Sequence, residues 1–308
     1  MYGVAIHASS GPAFVAQVQQ AEAAGVQAAW ATMGAAGIGD MMPVLAAAAQ
    51  QTGRILLGNS IVHTWSRQPV TFAEEAMAVD QFGPGRFRLG IGPSTAFFVE
   101  RMYGQAYSKP LTNLREYLHI VRSLLREGSV QFEGEHVSLR WRVNPDAAVP
   151  VMASALRPKS FELCGATADG AISWMCPLKY LTGVALPALE RGAEGAGREA
   201  PPLVAHVPVA VTIDRDAVRA MAREQLGMYA RVSNYRGMFA AAGFDVKGGY
   251  SDELLDDLVV SGTEAEVAAG LQRWIAAGMG EVLALPLRGP DAEASTAAAF
   301  AAVARAAA

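Results

Sequence analysis

"LLGNSIVHTWSRQPVTFAEEAMAVDQFGPGRFRLGIGPS", residues 56–94, packs two apolar strands, a helix and two small-polar breaks into one unit. The strand from Ile55 to Val62 is interrupted by Gly58, Asn59 and Ser60, which predicts a bulge or an unusual peptide bond. A helix from Val70 to Phe82 stops at Gly-Pro-Gly, and Arg86 to Ile91 resumes as a strand. Strand, helix and strand in this order make a parallel crossover, with functional groups expected where strands end and loops begin.

The same alternation extends in both directions. Upstream, Met1 to Ala8 and Ala28 to Met33 read as strands; Gly11-Pro12 opens a helix stopped by Gly25, and Asp40 can cap a helix running to Gln51. Downstream, Leu114, Leu118, Val121 and Leu125 mark one face of a helix over Leu111 to Glu127. "VQFEGEHVSLR" then reads as an inserted hairpin near 129–142. Strands are expected over Val149 to Ala155, Gly170 to Met175, Leu203 to Thr212 and Glu281 to Leu287, and helices over Lys159 to Ala168 and Leu178 to Arg191. Asp214 to Leu258 reads as a helix plus a helical insertion near 225–262, and Thr263 with Glu266 forms a capping box. The implied fold class is α/β: a (β/α)8 TIM barrel in one domain over residues 1–308.

Composition narrows the function classes. Apolar residues make up 52% of the chain and charged residues 18%, enough to bury a large core. The net charge of −4 is spread without a basic stripe, so neither nucleic acid nor an anionic membrane is an expected partner. Cys164 and Cys176 are too few for a disulfide framework or a four-cysteine zinc site, and no metal site is expected. No signal segment opens the sequence and no apolar run reaches the roughly 18 residues of a membrane span. The expectation is a cytoplasmic protein acting on a small molecule. The apolar stretches "MMPVLAAAA" and "FAEEAMAV" could pack on the barrel or pair across the two-fold axis of a homodimer.

Three strand exits carry the candidate chemistry. After the fourth strand, Gly90 to Ser94 is either a ligand loop or a close-packed barrel corner, and its spacing is not that of a dinucleotide fingerprint. After the third, His63, Trp65 and Arg67 follow the small-polar break. After the fifth, a helix opens near Pro158 with Arg157 and Lys159 beside it, either an anion site made from free N–H groups or an ordinary helix start with solvated charges. Together the three could hold a flat cofactor that carries a phosphate.

These segments, with "LREYLHIVRSLLREG", "EGEHVSL" and "RPKSFELCGATADGAISWM", resemble the luciferase-like monooxygenase superfamily, in particular its branch that uses the deazaflavin coenzyme F420. The resemblance implies an oxidoreductase that moves a hydride between F420 and a small organic substrate. It implies a non-prolyl cis peptide at Ser60-Ile61 behind the cofactor ring, a tail loop at Gly92, Pro93, Ser94 and Thr95, and a phosphate-side turn at Ala155, Leu156, Arg157, Pro158 and Lys159. Thr32 and Met33 stand where some relatives carry an Asp-His pair, and Thr95 where one has glutamate, which argues against sugar-phosphate dehydrogenase chemistry. Ser66-Arg67-Gln68-Pro69 likewise lacks the histidine of the family's Pro-Arg-His-Pro.

His7 and His63, both at strand exits, are the candidate proton donors, each weighed against the plainer role of a hydrogen-bonded fixture. Thr32, Met33, Trp65, Phe97, Trp174 and Met175 are the candidate substrate wall, with Trp30 and Phe98 weighed beside them, each against membership of the core. The alternatives are an FMN-dependent monooxygenase of the same superfamily and a flavin-binding protein without catalysis. The chain offers no NAD(P)H fingerprint of its own.

Overall fold

A computed structural model of the chain describes residues 1–33, 39–145 and 149–308. Eight parallel strands form the ring: β1 (Tyr2–Ile6), β2 (Ala28–Thr32), β3 (Leu56–Ser60), β4 (Phe87–Gly92), β5 (Val151–Ser154), β6 (Gly170–Ser173), β7 (Leu203–Val211) and β8 (Glu281–Pro286). Each pairs with the next, and β8 returns to β1 through Tyr2↔Val282, so the barrel is closed. Closure leaves no free edge in the ring, and the strands are correspondingly apolar and buried. The (β/α)8 barrel read from the alternation is the observed fold.

Local chemistry starts and stops the helices where expected. Asp40 accepts from the Met42 N–H at 2.9 Å ahead of the helix Met41–Gln50, and Thr263 and Glu266 exchange the reciprocal bonds of a capping box. The hairpin pairs Ser129–Glu133 with Ser138–Arg142, and its turn is tied to the helix Pro110–Glu127 by Glu116. The Glu116 carboxylate accepts from the N–H groups of Glu135, His136 and Val137 at 2.8, 2.9 and 3.1 Å. Burial pushes this carboxyl upward, and the three donors outweigh it and hold it below its ordinary range.

Three segments differ from expectation. Residues 178–191 are helical as expected but not regular: a π stretch at Leu181–Ala185 separates Leu178–Tyr180 from Leu186–Gly195, where Pro187 has no N–H to continue the regular ladder. Residues 96–103, read as loop, form a helix in which Val99 alone is buried, so no apolar stripe marks it. The insertion near 225–262 resolves into a 3-10 turn (Gly227–Arg231), two helices (Ser233–Ala241 and Asp252–Leu258) and a short strand, Val260–Gly262, on the end of β7.

The lumen is filled in layers. In the lower one, Trp30 Nε1 donates to Glu281 Oε1 at 2.9 Å, Arg88 pairs with the same carboxylate, and its guanidinium lies 4.7 Å from the indole centre. Trp30 is fully buried there and belongs to the barrel's plug, not to a substrate wall. Gly58 makes room for it: a Cβ at Gly58 would lie 2.6 Å from the indole. Among the described residues no helix is long and apolar enough to cross a membrane, and no cluster of metal-ligating side chains occurs.

Candidate active site

The ladder between β3 and β4 breaks just above this plug. Pairing runs to Gly58↔Arg88 and resumes at Val62↔Ile91, so four residue steps oppose three and the third strand carries one extra residue. The Asn59 amide fills the gap, accepting from the Gly90 N–H at 3.0 Å and donating to the Gly90 carbonyl at 2.5 Å. The Ser60-Ile61 peptide inside this bulge is cis, as expected. Met33 donates its N–H to the Ser60 carbonyl at 3.1 Å, which binds the exit of β2 to the bulge. Across the gap, a Cβ on Gly92 would lie 2.2 Å from Ser154 Oγ and 2.4 Å from Ile61 Cδ1, so only glycine lets the three exits approach.

One central residue escaped the sequence reading. His206 is a lone polar side chain within "LVAHVPVAV", the apolar run of β7, where nothing in the periodicity sets it apart. Its ring extends across the lumen, with Nε2 3.0 Å from Ser60 Oγ and Nδ1 2.8 Å from the Ser173 carbonyl. Trp174 packs edge-on against it at 4.7 Å and continues toward Tyr229 at 6.2 Å. Burial lowers the His206 pKa to about 4, so the ring is neutral at physiological pH.

The two predicted histidines have different surroundings. His7, half-buried at the exit of β1, has Nδ1 2.9 Å from Thr32 Oγ1, and that hydroxyl donates to the Ile6 carbonyl at 3.0 Å. The Thr32 hydrogen is thus engaged, and His7 is the donor in their contact. His63 is buried, its pKa is lowered to about 4 by burial, and its Nδ1 meets the Tyr103 hydroxyl at 3.0 Å. It anchors the end of the helix Ala96–Tyr103, which carries exposed Phe97 and Phe98.

Ser94 takes a left-handed conformation (φ 62°) and its carbonyl accepts from Tyr107, placing Pro93, Ser94 and half-buried Thr95 around the fourth exit. Trp65 packs on Tyr107 and His136 and is buried under the hairpin turn. Trp174 stands half-buried above His206, whereas Met175 (φ 56°) is wholly buried and takes no part in an open wall.

At the fifth exit several of the backbone donors expected to bind an anion are already used. Ser160 Oγ accepts from the N–H groups of both Leu156 and Arg157 at 3.0 Å, Ala155 N–H donates to the Ile172 carbonyl, and Pro158 has no N–H. These backbone donors are therefore engaged within the protein. The turn adds the charge of exposed Arg157 and Lys159. Arg157 rests on the backbone of Gly237, where a Cβ would lie 1.8 Å from its Nη1. A neutral, hydrogen-bonding floor flanked by two cations fits a flat uncharged ring that carries an anionic tail.

The profile of the luciferase-like monooxygenase family matches residues 3–281. The chain belongs to this family. Among its luciferase-like relatives, a Mycobacterium tuberculosis protein named as a coenzyme F420-dependent oxidoreductase is 30% identical over 74% of this chain and 78% of its own length. The 5,10-methylenetetrahydromethanopterin reductase of Methanolobus tindarius is 24% identical over 82% of this chain and 84% of its own. Two solved structures share the barrel. An F420-dependent secondary alcohol dehydrogenase superposes with a TM-score of 0.79 at 19% identity, covering 97% of this chain and 98% of that one. The oxygenating constituent of 3,6-diketocamphane monooxygenase from Pseudomonas putida, in complex with FMN, does so with a TM-score of 0.76 at 17% identity, covering 99% and 96%.

Proposed function

We propose that this luciferase-like enzyme is an F420-dependent oxidoreductase that transfers a hydride between the deazaflavin and a small organic substrate. The observation that carries this reading is the likeness in sequence to a relative named for F420 over 74% of the chain, set beside a likeness to the FMN protein in fold alone. When bound, the deazaflavin supplies a carbon that accepts or gives a hydride. The protein's part is orientation and proton handling. The Ser60-Ile61 bulge would hold the ring, Gly92 to Thr95 would line the tail, and Arg157 and Lys159 would supply charge for its phosphate. His7 is the better proton holder: its half-buried ring is held at the exit of β1 by the contact of Nδ1 with Thr32, whereas His63 is buried and fixed on Tyr103. The substrate wall is formed by Trp174, Phe97 and Met33, while Thr32 is buried behind them and holds His7.

The test is equilibrium binding of the purified protein to F420 and to FMN, followed by a screen of secondary alcohols and unsaturated carbonyl compounds. F420 is expected to bind more tightly and to turn over without oxygen. An FMN affinity at least tenfold higher, about 1.4 kcal/mol in its favour, overturns the reading and makes the chain a monooxygenase.

A further inference from the structure

The hydrogen bonds around His206 fix which way the Ser60 hydroxyl points. A carbonyl oxygen only accepts, so the Nδ1 that lies 2.8 Å from the Ser173 carbonyl carries the ring's hydrogen. The ring is neutral, so Nε2 is left with a lone pair, and at 3.0 Å from Ser60 Oγ it accepts the hydroxyl hydrogen. The other partner within reach of this hydroxyl, the Ala31 carbonyl at 3.5 Å, is also an acceptor. Among the described residues both groups bonded to Ser60 Oγ are therefore acceptors, and its hydrogen is committed within the lumen.

We infer that His206 is a positioning residue that turns Ser60 into a hydrogen-bond acceptor toward the mouth, so that the site takes a ligand presenting an N–H or O–H group at the bulge. A serine left to rotate would accept or donate with equal ease and could not make this distinction. The contact joins opposite sides of the barrel, from β7 to β3, so the orientation is set by the closed ring and not by a mobile loop. Trp174, edge-on at 4.7 Å, limits the tilt of the imidazole. The inference deepens the F420 reading and rests on it only for the identity of the ligand.

Two measurements test it. Long-range 1H–15N spectra of the histidine-labelled protein, with no cofactor added, report the tautomer of His206, assigned by its loss in His206→Phe. The expected result is hydrogen on Nδ1 and an unprotonated Nε2 at pH 7; hydrogen on Nε2 would make His206 the donor and overturn the inference. In the second, F420 binding is followed for Ser60→Ala, His206→Phe and the double variant. Each single change should weaken binding about three- to tenfold, the range of one neutral hydrogen bond, with little further loss in the double variant. Wild-type affinity in a folded Ser60→Ala protein overturns the inference. Absence of F420 binding to the wild type overturns the cofactor reading instead, and the same variants are then scored with FMN.

Discussion

Asn59 replaces a missing rung of the barrel ladder by bonding both backbone groups of Gly90, its Oδ1 accepting at 3.0 Å and its Nδ2 donating at 2.5 Å. Both residues are buried, so removal of the amide strands a donor and an acceptor away from water. Asn59→Ala should lower stability by about 2–4 kcal/mol in urea denaturation, given about 1–3 kcal/mol for each unsatisfied group. A loss below about 0.5 kcal/mol would show that the strands re-pair without it.

Gly92→Ala should weaken F420 binding while the protein still folds. The added methyl meets Ser154 Oγ and Ile61 Cδ1, both ends of side chains, which can turn away only by disturbing the bulge or the fifth exit. Gly92→Ala with Ser154→Ala removes the closer contact and should restore part of the affinity. Equal binding by both variants and the wild type would refute the role of this approach.

In the plug, Arg88 and Glu281 form an ion pair whose members are 13% and 3% exposed. Arg88→Met leaves the carboxylate buried without its cation and should cost about 3–5 kcal/mol. Adding Glu281→Gln removes the stranded charge and keeps an oxygen for Trp30 Nε1, so the double variant should recover most of the loss. Calorimetric or urea unfolding of the three proteins measures it.

Stability should fall as the solution is acidified from pH 7 to pH 5. His63 and His206 each titrate near 4 when folded, against an ordinary 6.5, so over that interval the unfolded chain binds the more protons. Their contribution is complete above about 6.5 and is lost as the pH drops toward 4, roughly 2 kcal/mol from each between pH 7 and 5. His206→Phe should flatten this dependence by about half, read from urea midpoints across the series. An unchanged slope would mean that His206 is protonated in the native state.

Lys159→Ala should weaken F420 binding about three- to tenfold without abolishing it, since Arg157 keeps a cation at the same turn. The loss should shrink in 1 M salt, where charges are screened beyond about 3 Å. A salt-independent loss would point to packing and not to charge.

The sequence was most legible where burial forces a pattern. Apolar runs bounded by Gly and Pro marked all eight strands, and Gly58-Asn59-Ser60 stood out as small polar residues inside such a run. Where function and pattern coincide less, the reading failed. His206 occupies an inward position of a nearly all-apolar strand, and its partners Ser60 and Ser173 lie 146 and 33 residues away. Ser160 engages the N–H groups at the fifth exit through a turn that no spacing rule separates from an ordinary helix start. The helix 96–103 buries Val99 alone and so lacks the stripe by which helices are recognised.

Trp30 and Gly58 sit on adjacent strands in register, and the indole occupies the volume that a side chain at position 58 would need. Neither can drift by itself. A lineage that enlarges position 58 must first shrink position 30, and shrinking position 30 also removes the donor that satisfies Glu281 and the face under Arg88. Descendants of this chain should therefore inherit tryptophan and glycine as a pair, or exchange them together with the ion pair below, so that the third strand's glycine is preserved by a neighbour's bulk and not by the chemistry above it.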